Sequence, residues 1–134
     1  MKDLFKVPDG VSSAQNIAYW VLTVLFCLLI FASGLGHLIR AEPIVEVFQY
    51  LGYPDYLMLM LGVTKLAGIP FLLYPGSVRL KEWAYAGYTY DLVGGFVSHL
   101  MAGKAFGLAM PPLILWFFMA GSYVLYYLRT KNRY

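Results

Sequence analysis

The stretch MLMLGVTKLAGIPFLLY, Met58 to Tyr74, is apolar enough to lie in lipid, yet it carries Lys65 at its centre. A lysine at the middle of a membrane helix costs about 2.5–3.5 kcal/mol on insertion scales, so such a residue needs a partner. The rest of the chain supports the membrane reading. Of its 134 residues, 60% are hydrophobic and 13% charged, against roughly half and about a quarter in soluble domains.

The apolar residues fall into four blocks, 17–39, 56–74, 83–101 and 112–128. Each is near the ~20 residues that cross a hydrocarbon core. Only helices and closed barrels satisfy every backbone group in lipid, and these runs are too continuously apolar for barrel strands. The expectation is an all-α integral membrane four-helix bundle forming one domain over 1–134. The first block follows Lys2 and Lys6 as a signal peptide would, but its run IAYWVLTVLFCLLIFA exceeds a signal core and is read as a retained helix.

Basic residues near the span ends set orientation. Lys2, Lys6, Arg79, Lys81, Arg129, Lys131 and Arg133 fall on one side, Arg40 and Lys104 on the other. Both termini are therefore expected in the cytoplasm, with the chain in the cell inner membrane. The net charge of +3 is then an orientation signal and a contact for lipid headgroups, with no nucleic acid required. The single cysteine, Cys27, excludes an intrachain disulfide and a C-x-x-C dithiol, and reads as an apolar filler.

Between the first two spans, Ile44, Val47, Phe48 and Leu51 recur at i, i+3, i+4 and i+7, which predicts a short amphipathic helix at the outer interface. Tyr50, Tyr53 and Tyr56 follow, where an aromatic belt is expected. Ser12 or Ser13 suits the cap of the first helix. The fourth span is expected to begin at Pro111 and Pro112 and carries no ionisable residue before Arg129.

If Val78 is the middle of the turn between the second and third spans, Lys65 and Asp91 stand thirteen residues either side of it. An antiparallel hairpin then sets amine and carboxylate at one depth. Gly62 and Gly68 on one side, and Gly87, Gly94 and Gly95 on the other, suggest close backbones there. Pro70 lacks the amide that would bond the Leu66 carbonyl, which leaves an acceptor near the amine. The pair either pins the two helices in register or floors a polar cavity where the ammonium meets a ligand oxygen or exchanges a proton.

His37 and His99 end the first and third spans, in GLGHL and VSHLM, with Arg40, Glu42, Glu46 and Lys104 in the same zone. The similar ends fit either chance or an old duplication. Interfacial hydrogen bonding and proton handling both remain open for the histidines. No H-x-x-x-H or H-E-x-x-H spacing supports a metal site, so none is expected. Glu82 beside Trp83 suits the positive end of the third helix. Tyr85, Tyr88 and Tyr90 either line the cavity with hydroxyls or fill the bundle.

The run LGYPDYLMLMLGVTKLAGIPFLLYPG, followed by LKEWAYAGYTYDLVGGFVSHL, resembles the DoxX-like family of small four-helix membrane proteins. The resemblance covers roughly Gly34 to Lys104. It implies a four-helix bundle, and a family that includes subunits linked to thiosulfate and quinone oxidation, partners of oxidative-stress enzymes, and distant cargo receptors and assembly chaperones. Its motif falls on Lys65, Glu82, Trp83, Tyr85, Asp91 and His99, with no agreed catalytic role.

The leading expectation is a protein that binds a small lipophilic molecule with a polar head, quinone-like, among the first three spans, in a redox system as one quinone-linked subunit. Lys65, Asp91, His37, His99, Arg40, Glu82 and Tyr88 are its candidate ligand-binding or proton-handling residues. The alternative is an assembly subunit that holds a partner membrane protein, in which Lys65 or Asp91 would face lipid. Proton or solute transport ranks third, since four helices enclose a thin path unless a homo-oligomer widens it.

Overall fold

The computed structural model describes residues 7–74, 76–103 and 106–131. Lys2, Lys6, Lys104 and Arg133, which carry part of the orientation argument, lie outside them. Five helices follow in order: α1 (Ser13–Leu38), α2 (Glu42–Leu51), α3 (Asp55–Leu73), α4 (Val78–Met101) and α5 (Phe106–Thr130).

Local chemistry fixes most of the helix ends. Ser12 accepts from the Gln15 amide while the Gln15 side chain accepts from the Ser12 amide, a reciprocal cap on the first orphan donors. At the other end of α1, the Ala41 amide donates to Gly36 and the Arg40 amide to His37, closing the helix with Arg40 at φ 55. That left-handed position is normally held by glycine. α2 ends the same way, and there Gly52 supplies the positive φ of 73. Ser77 caps α4 by accepting from Leu80.

Two expected boundaries move. α4 starts at Val78, so Val78 is no turn midpoint and Glu82 lies in the second turn of the helix instead of opening it. α5 starts at Phe106, so Pro111 and Pro112 fall inside it. Proline inside a helix removes an amide donor and crowds the preceding turn.

The long helices pack in a ring, α1 on α3 and α5, and α4 on the same two. α1 and α4 meet across the middle, where the Phe26 and Tyr88 rings stand 5.2 Å apart, edge to face. The core is rich in tyrosine, with Tyr19, Phe26, Ile30, Leu72, Tyr85, Tyr88 and Leu92 all buried. Its hydroxyls are paired: Thr23 and Ser122 lie 2.6 Å apart, Tyr85 reaches Ser122 at 2.8 Å, and Lys81 donates to Tyr19.

Glycine sets the closest crossing, but on α1 and α3 rather than on α4. A Cβ at Gly62 would stand 3.0 Å from His37 Cβ and 3.1 Å from the Gly34 carbonyl. A Cβ at Gly68 would run into the Tyr88 ring. Gly87 and Gly94, expected to bring α4 close to α3, have nothing within 4 Å of where a Cβ would be.

Large apolar side chains cover the outside, Ile17, Leu28, Val63 and Phe117 among them, as a lipid-facing surface requires. α1, α3 and Ala109–Thr130 of α5 are each long and apolar enough to cross a membrane. α4 has the length, at 24 residues. Asp91, His99 and its tyrosines make it more polar than the other three.

Candidate functional site

α3 carries Lys65 at mid-helix, where the residue is only 6% exposed. Asp91 of α4 faces it, and the ammonium lies 2.9 Å from one carboxylate oxygen and 2.8 Å from the other. Their side chains are 7% and 13% exposed. Two full charges removed from water lose their hydration, and the pair is tolerable because each supplies the other's counter-charge. Beneath the pair, Tyr88 donates its hydroxyl to the Lys65 carbonyl at 2.6 Å. The turn loosened by Pro70 thus receives an outside donor, at Lys65 rather than at Leu66.

Above the pair opens a cleft of about 680 Å³, a size typical of small-molecule sites. Lys65 and Asp91 form one polar layer of its lining. Leu57 and Leu61 of α3, Leu92 of α4, and Pro112 and Leu115 of α5 make apolar walls. α2 closes the far end with Ile44, Val47, Phe48 and Leu51. The face that the heptad-like spacing identifies as apolar is therefore turned onto the cleft.

The histidines supply a second polar layer. His37 Nδ1 lies 2.7 Å from the Ser33 carbonyl, and His99 Nδ1 lies 2.7 Å from the Gly95 carbonyl. A carbonyl only accepts, so in both rings Nδ1 carries the proton and a neutral imidazole presents the Nε2 lone pair. Both residues line the cleft. Similar sequence at the two helix ends thus gives the same local bond, each ring turned back one helical turn. The His37 ring also meets Phe48 edge to face at 5.6 Å.

The segment around α2 is tied down on two sides. Tyr53 and Ser98 hydroxyls lie 2.5 Å apart, and Tyr50 donates to the Ala102 carbonyl at 3.0 Å, which joins the α2–α3 connection to the end of α4. Arg40 pairs with Asp55 at 2.8 Å, which joins the end of α1 to the start of α3. Tyr50 and Tyr53, which the sequence places where an aromatic belt is expected, serve as structural ties through their hydroxyls.

Lys65, Asp91, His37 and His99 are brought together around one cleft, and three other candidates are not. Arg40 is held outside by Asp55, because the chain has already left the helix at residue 39. Glu82 lines a separate hollow of about 270 Å³ with Tyr85, Trp116 and Tyr123, between α4 and α5. Tyr88 lies under the ion pair and lines an outer groove instead of the cleft. The cleft also has Ser33, Ser98 and Tyr53 in its lining, none of which the sequence singles out as a site residue. Their signals in the sequence are Ser33 four residues before His37, Ser98 directly before His99, and Tyr53 as an aromatic in a turn. Among the described residues no three His, Cys, Asp or Glu side chains converge.

The family model described as DoxX-like matches residues 21–121, a span that contains every residue of the cleft. No curated protein and no solved structure matches the chain significantly.

Proposed function

This chain belongs to the DoxX-like family, and from that premise we propose that it binds one small lipophilic molecule with a polar, quinone-like head in the cleft between the ion pair and α2. It is a multi-pass membrane protein. In the proposed arrangement α4 is a fourth span beside the other three, both termini are cytoplasmic, and the membrane is the cell inner membrane.

The observation that carries the reading is the ligand-sized cleft with Lys65 and Asp91 in one polar layer, two histidines in another and apolar walls between. The Lys65 ammonium has three donors and lies 2.8–2.9 Å from the Asp91 carboxylate oxygens, so a ligand oxygen at that point meets a charge-assisted donor in a low-dielectric setting. The two Nε2 atoms offer acceptors, or a place for a proton, at the other end. Such a site suits a subunit that holds a quinone-like molecule for a redox partner. The burial of Lys65 and Asp91 against each other weighs against an assembly role, which calls for one of them to face lipid.

The test is extraction of the purified protein for bound lipophiles. A quinone-like or polar-headed molecule recovered from the native chain and lost from Lys65→Met supports the reading. Equal recovery from both would overturn it.

A further inference from the structure

Outside the ring, between α3 and α4, runs a groove of about 420 Å³. Leu61, Lys65, Tyr90 and Asp91 line both this groove and the inner cleft, so the ion pair forms the boundary between the two. The groove is wide where glycine leaves space: a side chain at Gly87 would meet nothing within 4 Å. Tyr90 stands at the seam with 81% of its surface exposed.

Away from the seam, the side-chain hydroxyls along the groove are already used. Thr64 Oγ1 donates to the Leu61 carbonyl at 3.0 Å, and the Tyr88 hydroxyl donates to the Lys65 carbonyl. A molecule lying there therefore finds apolar surface along the length of the groove and charge only at the seam. Resting on the reading above, we propose that the groove is the tail site of the same ligand: the head lies in the cleft, the chain passes the ion pair beside Tyr90, and the tail lies against α3 and α4. The ligand class is then a single-chain amphiphile, with one compact head on one linear apolar tail.

Two probes test this on the purified full-length protein, a benzoquinone with a decyl chain and the same ring with a methyl group in its place. In the native protein the decyl probe binds tighter. Gly87→Trp fills the groove from α4 and Thr64→Trp fills it from α3, both from positions with room for a larger side chain. Each is expected to shrink the decyl-to-methyl affinity ratio by about tenfold, the equivalent of one or two methylenes losing their protein contact. Lys65→Met should weaken both probes together and leave the ratio in place. A ratio untouched by both tryptophan variants overturns the tail site, as does failure of the decyl probe to bind. If Lys65→Met alters neither probe, the assignment of the head is wrong, and a ratio that still collapses in Gly87→Trp keeps the groove as a tail site.

Discussion

Tyr88 of α4 bonds the main-chain carbonyl of Lys65 on α3, one residue's own helix supplying the ammonium and the acceptor to two different partners on the same neighbour. Two bonds from α4, one to the backbone and one to the side chain, hold Lys65 against Asp91. Removing the lower bond takes a second donor from the Lys65 carbonyl, whose helical donor is the Ile69 amide, one position before the Leu66 carbonyl that Pro70 leaves without one. Tyr88→Phe is expected to cost about 1–2 kcal/mol, read as a lowered melting temperature in detergent, while the ion pair persists. A melting temperature equal to that of the native chain would show that the Tyr88 bond adds nothing to stability.

The ion pair itself should behave as a unit. Lys65→Met alone leaves a carboxylate in a nearly dry site and is expected to lose about 3–5 kcal/mol. Lys65→Met with Asp91→Leu restores most of that loss, because no charge is left unpaired. Thermal unfolding of the native chain, the two single variants and the double variant checks it, and additive losses would contradict it.

Glycine positions divide sharply. Gly62→Ala pushes a methyl against His37 Cβ and the Gly34 carbonyl at 3.0–3.1 Å, and such overpacking costs about 1–3 kcal/mol. Gly87→Ala enters open space and gains helix propensity of up to about 1 kcal/mol. The two variants should therefore shift the melting temperature in opposite directions.

Arg40 gives the smallest effect. Arg40→Gly relieves a side chain held at φ 55 and loses an exposed pair with Asp55, whose side chains are 46% and 65% exposed. Pairs that open to solvent contribute about 0–1 kcal/mol, and the relief of backbone strain is of similar size. Stability should stay within about 1 kcal/mol of native, and lipophile recovery should match it too, since Arg40 does not line the cleft.

Much of this was legible from residue spacing. The apolar period of Ile44, Val47, Phe48 and Leu51 predicted α2 and its buried face. The meeting of Lys65 and Asp91 was predicted too, although for an inexact reason. Val78 opens α4, so Lys65 stands eight residues from the end of α3 and Asp91 thirteen from the start of α4. The difference of about 7 Å along the axis is taken up by stagger and tilt of the helices and the reach of the lysine chain. Less legible was anything set by how a helix is rotated about its own axis. Gly87 and Gly94 share a spacing with residues that pack, yet Gly87 lines the outer groove and Gly94 the cleft, and periodicity cannot say which stripe of a polar helix meets its neighbour. Arg40 departs from the expectation because the helix ends at Leu38, two residues before it, after which spacing no longer predicts direction. The start of α5 was missed because two prolines read as a beginning, while lipid-spanning helices accommodate them.

The ties around α2 have a consequence for how any occupant arrives. Arg40 to Asp55 anchors one flank, and Tyr50 and Tyr53 fasten the other to α4. Traffic through that end would have to undo three bonds at once. A path sideways, between α3 and α4, would instead run past Leu61, Lys65, Asp91 and the exposed Tyr90, the four residues shared by groove and cleft, so on the proposed reading an occupant comes in from the bilayer with those ties left whole.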